Sequence, residues 1–396
     1  MHPHLLFGED GRVPNLTVLP MPTGPAVLEL MPTLERALTG TAPVHPVGVG
    51  DAGAVPEGAL PDDVAVTIAT SGSTGAPKLA LLTAANLIAS AEATTQRLGG
   101  EGQWLLALPA HHIAGLQVLM RSIAAGTTPV VLDSASVTPF ALVEGTAAMS
   151  GERRYTSLVP TQLTRLVDDP LGLEALRRFD AVLLGGAAAP PSLLDHARSH
   201  GVRVVTTYGM SETAGGCVYN GTPLKGVQVR TNDDGVLEIG GPVVAQGYLG
   251  LNSDAFITDE HGQRWFRTGD LGVVGTDDRV QVHGRADDLI NTGGIKVTPR
   301  IVEEAVLAHV PAVTEAVVVG LPDPQWGQAV ALAVVTSPSG PAVGPVPEAG
   351  VVEIREMLRP HLEAHALPRR VQVVAELPMR GPGKPDRLTV ARLLGG

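Results

Sequence analysis

The segment Thr70-Ser71-Gly72-Ser73-Thr74-Gly75-Ala76-Pro77-Lys78 gathers glycines, hydroxyls and a lysine in one short stretch. Glycines let backbone N–H groups converge, hydroxyls add donors and the lysine supplies charge, a combination suited to holding phosphate. An apolar, β-branched run over 64–69 precedes it. A helical pattern starting near Thr83 and carrying Leu87, Ile88, Ala91 and Leu98 follows it. The spacing is not that of a Walker loop, which needs a glycine, four residues and then Gly-Lys-Ser/Thr. Counted from Gly72, Pro77 falls where the second glycine belongs, and Leu79 follows the lysine. The segment reads as a phosphate grip outside the Walker class, with a purely structural turn as the alternative.

Other reactive residue types are less well spaced. His111 and His112 are adjacent, so they do not share a face, and no acidic or cysteine partner is placed to complete a metal site. His361 and His365 stand four apart on a predicted helix but lack the glutamate of a zincin, which makes them a solvated face. Cys217 is the single cysteine, so no internal disulfide forms, and it is expected to line a pocket or the core without acting as a nucleophile. Lys78, Lys225, Lys296 and Lys384 are the only lysines among 28 basic residues. Each marks a place where a compact ammonium serves better than a planar guanidinium, or else an ordinary surface position.

The elements that must position these residues follow from length and patterning. A chain of 396 residues allows two or three domains and at least one sizeable core. Hydrophobic residues make up 44% and charged residues 17%, as in globular proteins, while aromatics at 3% leave the cores to Val, Leu, Ala and Ile. A net charge of −12 argues against nucleic-acid or anionic-membrane partners. No apolar run is long enough for membrane insertion and no signal-peptide pattern opens the chain, so a cytoplasmic protein is expected.

Residues 1–60 are rich in Pro and Gly, with a short helix predicted around 28–38. From 64 to about 209, strand-like runs at 104–108, 128–132, 181–184 and 202–206 alternate with helical patterns at 116–124, 162–167 and 192–199. This predicts an α/β layer with a mainly parallel sheet. Between 227 and 282, short strands separated by turns such as Asp233-Asp234-Gly235 and Asp277-Asp278 predict an antiparallel, barrel-like portion. A helix near 300–309, strands at 316–320 and 329–335, a helix near 351–362 and a strand at 371–375 predict a small α+β second domain.

Four further segments follow the phosphate-grip motif in a fixed order. They are Thr207-Tyr208-Gly209-Met210-Ser211-Glu212-Thr213, Phe266-Arg267-Thr268-Gly269-Asp270, Gly284-Arg285-Ala286-Asp287-Asp288 and Gly381-Pro382-Gly383-Lys384-Pro385-Asp386-Arg387. With residues 70–78 they resemble the acyl-adenylate-forming superfamily of acyl-CoA synthetases, adenylation domains and luciferase-like ligases. The resemblance runs from about 64 to 387. It implies that a carboxylate attacks the α-phosphorus of ATP and that a thiol, here coenzyme A, then displaces AMP.

By that resemblance Thr70, Ser71, Gly72, Ser73, Thr74, Gly75 and Lys78 hold the β- and γ-phosphates. Glu212 helps to bind Mg²⁺, and Thr213 contacts the α-phosphate. Gly185, Gly186, Ala187, Thr207, Tyr208 and Gly209 form the adenine slot. Asp270, assisted by Arg285, holds the ribose, and Lys384 bridges substrate carboxylate and α-phosphate as the catalytic lysine. Pro385 stands where the family more often has an apolar residue. Asp287 takes the hinge position, dividing an N-terminal domain (1–286) that binds nucleotide and acid from a mobile C-terminal lid (287–396). Gly293 and Gly294 would approach the pantetheine thiol.

Within the superfamily, the segments around His111-His112, Leu183–Pro190 and Thr207–Cys217 look most like the o-succinylbenzoate–CoA ligases of menaquinone biosynthesis. His112 would then gate the acyl pocket, and Gln117, Ser211 and Thr213 would face the acid. Arg121, Arg153 and Arg165 are the arginines open to the second carboxylate. Relatives usually carry a longer region before the phosphate grip. The alternatives are an adenylating enzyme for another acid, loading CoA or a carrier protein, and a catalytically silent nucleotide-binding relative. Homo-oligomer formation is left open.

Overall fold

The computed structural model describes residues 16–395 except 41, 52–54, 56–59, 71–77, 133–136, 338–339 and 380–384. The apolar run at 64–70 becomes the strand Val64–Thr70 in a four-stranded sheet, ordered Thr17–Met21, Val44–Gly48, Val64–Thr70, Lys78–Thr83. The first three strands are parallel, and Lys78–Thr83 runs antiparallel to Val64–Thr70 with Lys78 opposite Thr70. The sequence predicted strand, loop and helix, and a second strand intervenes. Leu79, Ala80, Leu81 and Leu82 are good helix formers with no alternation to mark a strand. They pair because both of their faces are buried and because residues 246–249 close the outer edge.

The helix then begins where expected. Thr83 caps Ala84–Arg97: its hydroxyl accepts from the Asn86 amide at 3.0 Å, and Asn86 Oδ1 accepts from the Thr83 amide at 2.9 Å. Asn86 does more than cap. Its Nδ2 donates to the carbonyls of Pro242 (2.6 Å) and Val244 (3.1 Å), fixing a distant segment against the helix start.

The predicted α/β layer is a seven-stranded sheet, ordered Thr222–Pro223, Gly215–Tyr219, Val204–Met210, Ala181–Leu184, Arg154–Leu158, Gln103–Leu106, Val130–Val131. The last five strands are parallel, and the first two return antiparallel as a hairpin. Its strands are apolar on both faces. Ala181 and Leu183 join the core that contains the helix Ile113–Ala124, while Val182 and Leu184 join the core beneath Pro160–Val167 and Pro191–Ser199. The segment 227–282 supplies five antiparallel strands, with the Asp-Asp-Gly turn between Gln228–Thr231 and Val236–Gly240 as expected.

From Ile290 onward the chain forms a six-stranded sheet with its own two cores. Val318 and Leu332 face the helices Pro299–His309 and Glu348–Leu358, while Val317 and Ala331 face Arg387–Gly395. The helix predicted at 351–362 is set earlier and ends at Leu358, because Pro360 has no N–H to continue it. His361 and His365 therefore do not share that helix, and the His361 ring stacks on His309 at 3.5 Å. Among the described residues, no helix is long and apolar enough to cross a membrane.

Asn86→Ala removes one cap and leaves two carbonyls without their donor. A loss of about 2 kcal/mol is expected in urea unfolding, from the lost cap and the buried Val244 carbonyl left without its donor.

Candidate active site

The Thr207–Thr213 motif lies at one turn. The strand Val204–Met210 passes through Ser211–Thr213 and returns as Gly215–Tyr219. Thr213 closes the turn from inside: its hydroxyl accepts from the Met210 amide at 2.9 Å and donates to the Gly215 carbonyl at 2.8 Å. Gly209 is required at this point, since a Cβ there would collide with the Gly215 carbonyl oxygen across the hairpin. Earlier on the same strand, Thr207 donates its hydroxyl to the Leu184 carbonyl of the neighbouring strand at 3.2 Å, which sets Thr207 beside Gly185.

Two carboxylates converge near this hairpin, each held by a tyrosine. Tyr208 donates to Asp270 Oδ2 at 2.8 Å, joining the parallel sheet to the antiparallel one. Burial, and then the Asp270 charge, push the Tyr208 phenol well up, so it stays a donor. Tyr248 donates to Glu212 Oε1 at 2.7 Å, and Glu212 itself is buried. Burial followed by the Glu212 charge raises the Tyr248 phenol likewise.

Cations complete the pattern. Lys78 Nζ lies 5.1 Å from the centre of the Tyr248 ring. Arg285 sits opposite Asp270 across the strand pair, with Nη1 3.6 Å from Asp270 Oδ1. Its Nε and Nη2 grip Asp287 in a fork at 2.8 and 3.0 Å. That fork, ahead of the cost of burial, raises the guanidinium pKa. Arg285 is thus shared between a strand carboxylate and the residue that the sequence marks as a hinge.

The residues expected on the acyl side cluster around one helix start. His112 is the residue before Ile113–Ala124 and stands against His111 with ring centres 4.2 Å apart. Gln117, one turn in, is buried and donates to the Ala214 carbonyl at 2.6 Å, which ties the helix to the Ser211–Thr213 turn. Of the three arginines open to a second carboxylate, Arg153 and Arg165 are exposed. Arg121 is buried, 5.0 Å from the Trp104 ring and 3.4 Å from Tyr219 Oη.

Residues 16–274 match the AMP-binding enzyme family, and 302–384 match the AMP-binding enzyme C-terminal domain. The chain belongs to the AMP-binding enzyme family. It is 45% identical to a probable 2-succinylbenzoate–CoA ligase of Mycobacterium tuberculosis (strain ATCC 25618 / H37Rv), covering 96% of this chain and 99% of the relative. It is 33% identical to the 2-succinylbenzoate–CoA ligase of Geobacillus sp. (strain WCH70), covering 84% of this chain and 70% of that one. Among solved structures it is similar to the o-succinylbenzoate CoA synthetase of Bacillus subtilis in complex with its acyl-adenylate intermediate. There the TM-score is 0.71 at 27% identity, covering 95% of this chain and 78% of that one. The ATP-bound MatB of Rhodopseudomonas palustris shares the fold, with a TM-score of 0.73 at 24% identity over 96% and 79% of the two chains.

In this AMP-binding enzyme the remaining expected residues divide into three groups. Ser71, Gly72, Ser73, Thr74, Gly75 and Lys384 lie outside the described residues, whereas Thr70 and Lys78 end the two paired strands. Gly293 and Gly294 make the two-residue turn between Ile290–Thr292 and Ile295–Val297, both with left-handed φ (+63° and +81°). Cys217 is fully buried, and burial pushes its thiol up to about 12, which removes it from nucleophilic chemistry. Tyr248 was missed, because its partner is 36 residues away and no local pattern marks it.

Gly209→Ala is expected to force the hairpin apart. A loss of about 3 kcal/mol in denaturant unfolding should accompany a weakened ATP titration. Wild-type values in both would show that the close backbone approach is dispensable.

Proposed function

We propose that this chain is an ATP-dependent acid–CoA ligase acting on 2-succinylbenzoate, in menaquinone biosynthesis. The observation that carries this reading is the 45% identity to a probable 2-succinylbenzoate–CoA ligase across nearly the full length of both chains. In the first half-reaction a substrate carboxylate oxygen bonds to the α-phosphorus as the bond to pyrophosphate breaks. In the second, the CoA thiol adds to the acyl carbon, its proton is lost, and AMP departs with the electron pair of the C–O bond. The first step brings anions together, so the site must neutralise charge and hold the reacting atoms in line.

The residues on hand fit these demands. Lys78 and the hydroxyl-rich loop at 70–77 grip the β- and γ-phosphates. Asp270, held by Tyr208 and faced by Arg285, accepts from the ribose hydroxyls. The Tyr208 ring, with Gly185, Gly186, Ala187, Thr207 and Gly209, forms the adenine slot. Thr213 contributes to the α-phosphate side, and His112, Gln117 and Ser211 face the acid.

Glu212 suits Mg²⁺. Tyr248 takes one of its oxygens, Oε1, as hydrogen-bond acceptor. Among those residues, no three His, Cys, Asp or Glu side chains cluster to hold a metal unaided. A magnesium site here therefore draws on substrate phosphate oxygens, as hard-cation sites commonly do. Bound Mg²⁺ would supply positive charge against the triphosphate.

Asp287 serves as the hinge between an N-terminal domain, 1–286, and a C-terminal lid, 287–396. The lid carries Lys384 to the first half-reaction and Gly293-Gly294 to the second. Arg285 leaving Asp287 is part of that exchange. Supporting this division, among the described residues the two cores beyond Ile290 draw no buried residue from the preceding chain. The single buried cysteine fits a cytoplasmic enzyme.

A coupled assay with free CoA and a panel of acids tests the substrate. Turnover with 2-succinylbenzoate should exceed that with benzoate or succinate by roughly 100-fold or more. Preference for another acid, or no thioester, would overturn the assignment. Lys384→Ala should slow ATP–pyrophosphate exchange by roughly 100- to 1,000-fold while sparing thioester formation from supplied acyl-adenylate. Equal loss in both half-reactions would contradict the role given to Lys384.

A further inference from the structure

Tyr248 lies in no motif that the sequence singles out, yet it touches both charged groups on the phosphate side of the site. Its backbone is fixed first. Residues 246–249 run alongside Lys78–Thr83, with Leu81 N donating to Gly247 O, Gln246 N to Leu81 O and Leu249 N to Leu79 O, each at 2.9 Å. Just upstream, Ala245 N donates to the Glu212 carbonyl at 2.8 Å, and Arg264 Nε holds the Ala245 carbonyl at 2.8 Å. The strand leaving the phosphate loop and the turn carrying Glu212 are therefore both bonded to this one segment.

The side chain repeats the connection. Its ring is buried and packs edge-on against Phe256, with centroids 5.1 Å apart and planes at 74°. The hydroxyl points to Glu212 Oε1 at 2.7 Å, and Lys78 Nζ approaches the ring at 5.1 Å. An O–H donated to a buried carboxylate is a short, charge-assisted bond that locks one rotamer. A cation over a tyrosine face is held in place without being neutralised. One side chain thus orients a carboxylate and an ammonium while leaving the charge of each available.

We propose that Tyr248 is a positioning residue that fixes which Glu212 oxygen is presented to a divalent cation and keeps Lys78 on the same side of the site. This rests on the reading of Glu212 as the carboxylate that binds magnesium. A merely structural tyrosine would alter stability and overall rate together, without changing the metal dependence.

The test compares Tyr248→Phe, Tyr248→Leu and Glu212→Gln, using Mn²⁺ as an electron-paramagnetic probe with α,β-methylene-ATP. Tyr248→Phe keeps the ring and removes only the hydroxyl. It should weaken Mn²⁺ binding roughly 10-fold, in the range found for lost partners of metal ligands, and excess Mg²⁺ should restore pyrophosphate exchange. Tyr248→Leu should also weaken metal-free nucleotide binding, because Lys78 loses its support. If Tyr248→Phe binds Mn²⁺ like the wild type while Glu212→Gln does not, the positioning role is overturned and the Glu212 assignment stands. If Glu212→Gln also binds Mn²⁺ normally, the Glu212 assignment falls and the proposal with it.

Discussion

A carboxylate taken out of water has to be hydrogen-bonded or neutralised where it stands, and Glu212 and Asp270 impose that constraint on the layout of this site. Each answers it with a tyrosine from another element: Tyr248 for Glu212 and Tyr208 for Asp270. Phenols suit the task because burial beside a carboxylate raises their pKa, so the donor proton is not lost. The two bonds also decide where sheets meet. Tyr208 on the parallel sheet and Asp270 on the antiparallel one cannot move apart without breaking that bond.

Asp270 takes a second partner, and that partner links the antiparallel sheet to the residues that lead into the C-terminal sheet. Arg285 divides its donors between Asp270 and Asp287. The next residue, Asp288, faces Arg387 at 3.1 Å, and Arg387 in turn grips Glu303 on the helix Pro299–His309 and the Val318 carbonyl. A line of alternating charges thus runs from the antiparallel sheet through residues 287–288 into the C-terminal sheet. Arg387 follows Lys384 by three residues in sequence. The start of the helix Arg387–Gly395 is thereby anchored to the same cluster that borders Asp287. Arg285 and Arg387 grip neighbouring aspartates from opposite sides, so a dihedral change between 286 and 288 would be felt by both.

What was legible in the sequence follows from how far apart the interacting residues are. The parallel layer was readable because its apolar strands alternate with helical patterns, and the Asp-Asp-Gly hairpin because its turn chemistry is local. The order of the five motifs carried the family. The strand Lys78–Thr83 was not readable, since Leu79-Ala80-Leu81-Leu82 favours helix locally and is made a strand by residues 246–249, far along the chain. Tyr248 was hidden for the same reason. Its meaning lies in a bond to Glu212 and a contact with Lys78 that no window of sequence contains. His361 was misplaced by a missed terminator, Pro360, rather than by any long-range effect.

On the proposed reading of residues 70–78 as a phosphate grip, the intervening strand also changes how phosphate charge is met. In a strand–loop–helix arrangement the loop opens directly onto a helix N-terminus, whose partial positive charge assists an anion. Here the helix Ala84–Arg97 starts at the far end of Lys78–Thr83. Five residues of extended chain put that end roughly 17 Å from Lys78. A macrodipole acts within about one turn of the helix end, so it contributes little at that range. The positive charge has to come from side chains and from the cation that accompanies the nucleotide. This gives a physical reason for a lysine at the base of the loop in a chain that otherwise favours arginine. It also explains why Lys78 is kept close to Glu212 by a neutral aromatic ring instead of by a direct ion pair. A direct pair would cancel both charges before the phosphates arrived.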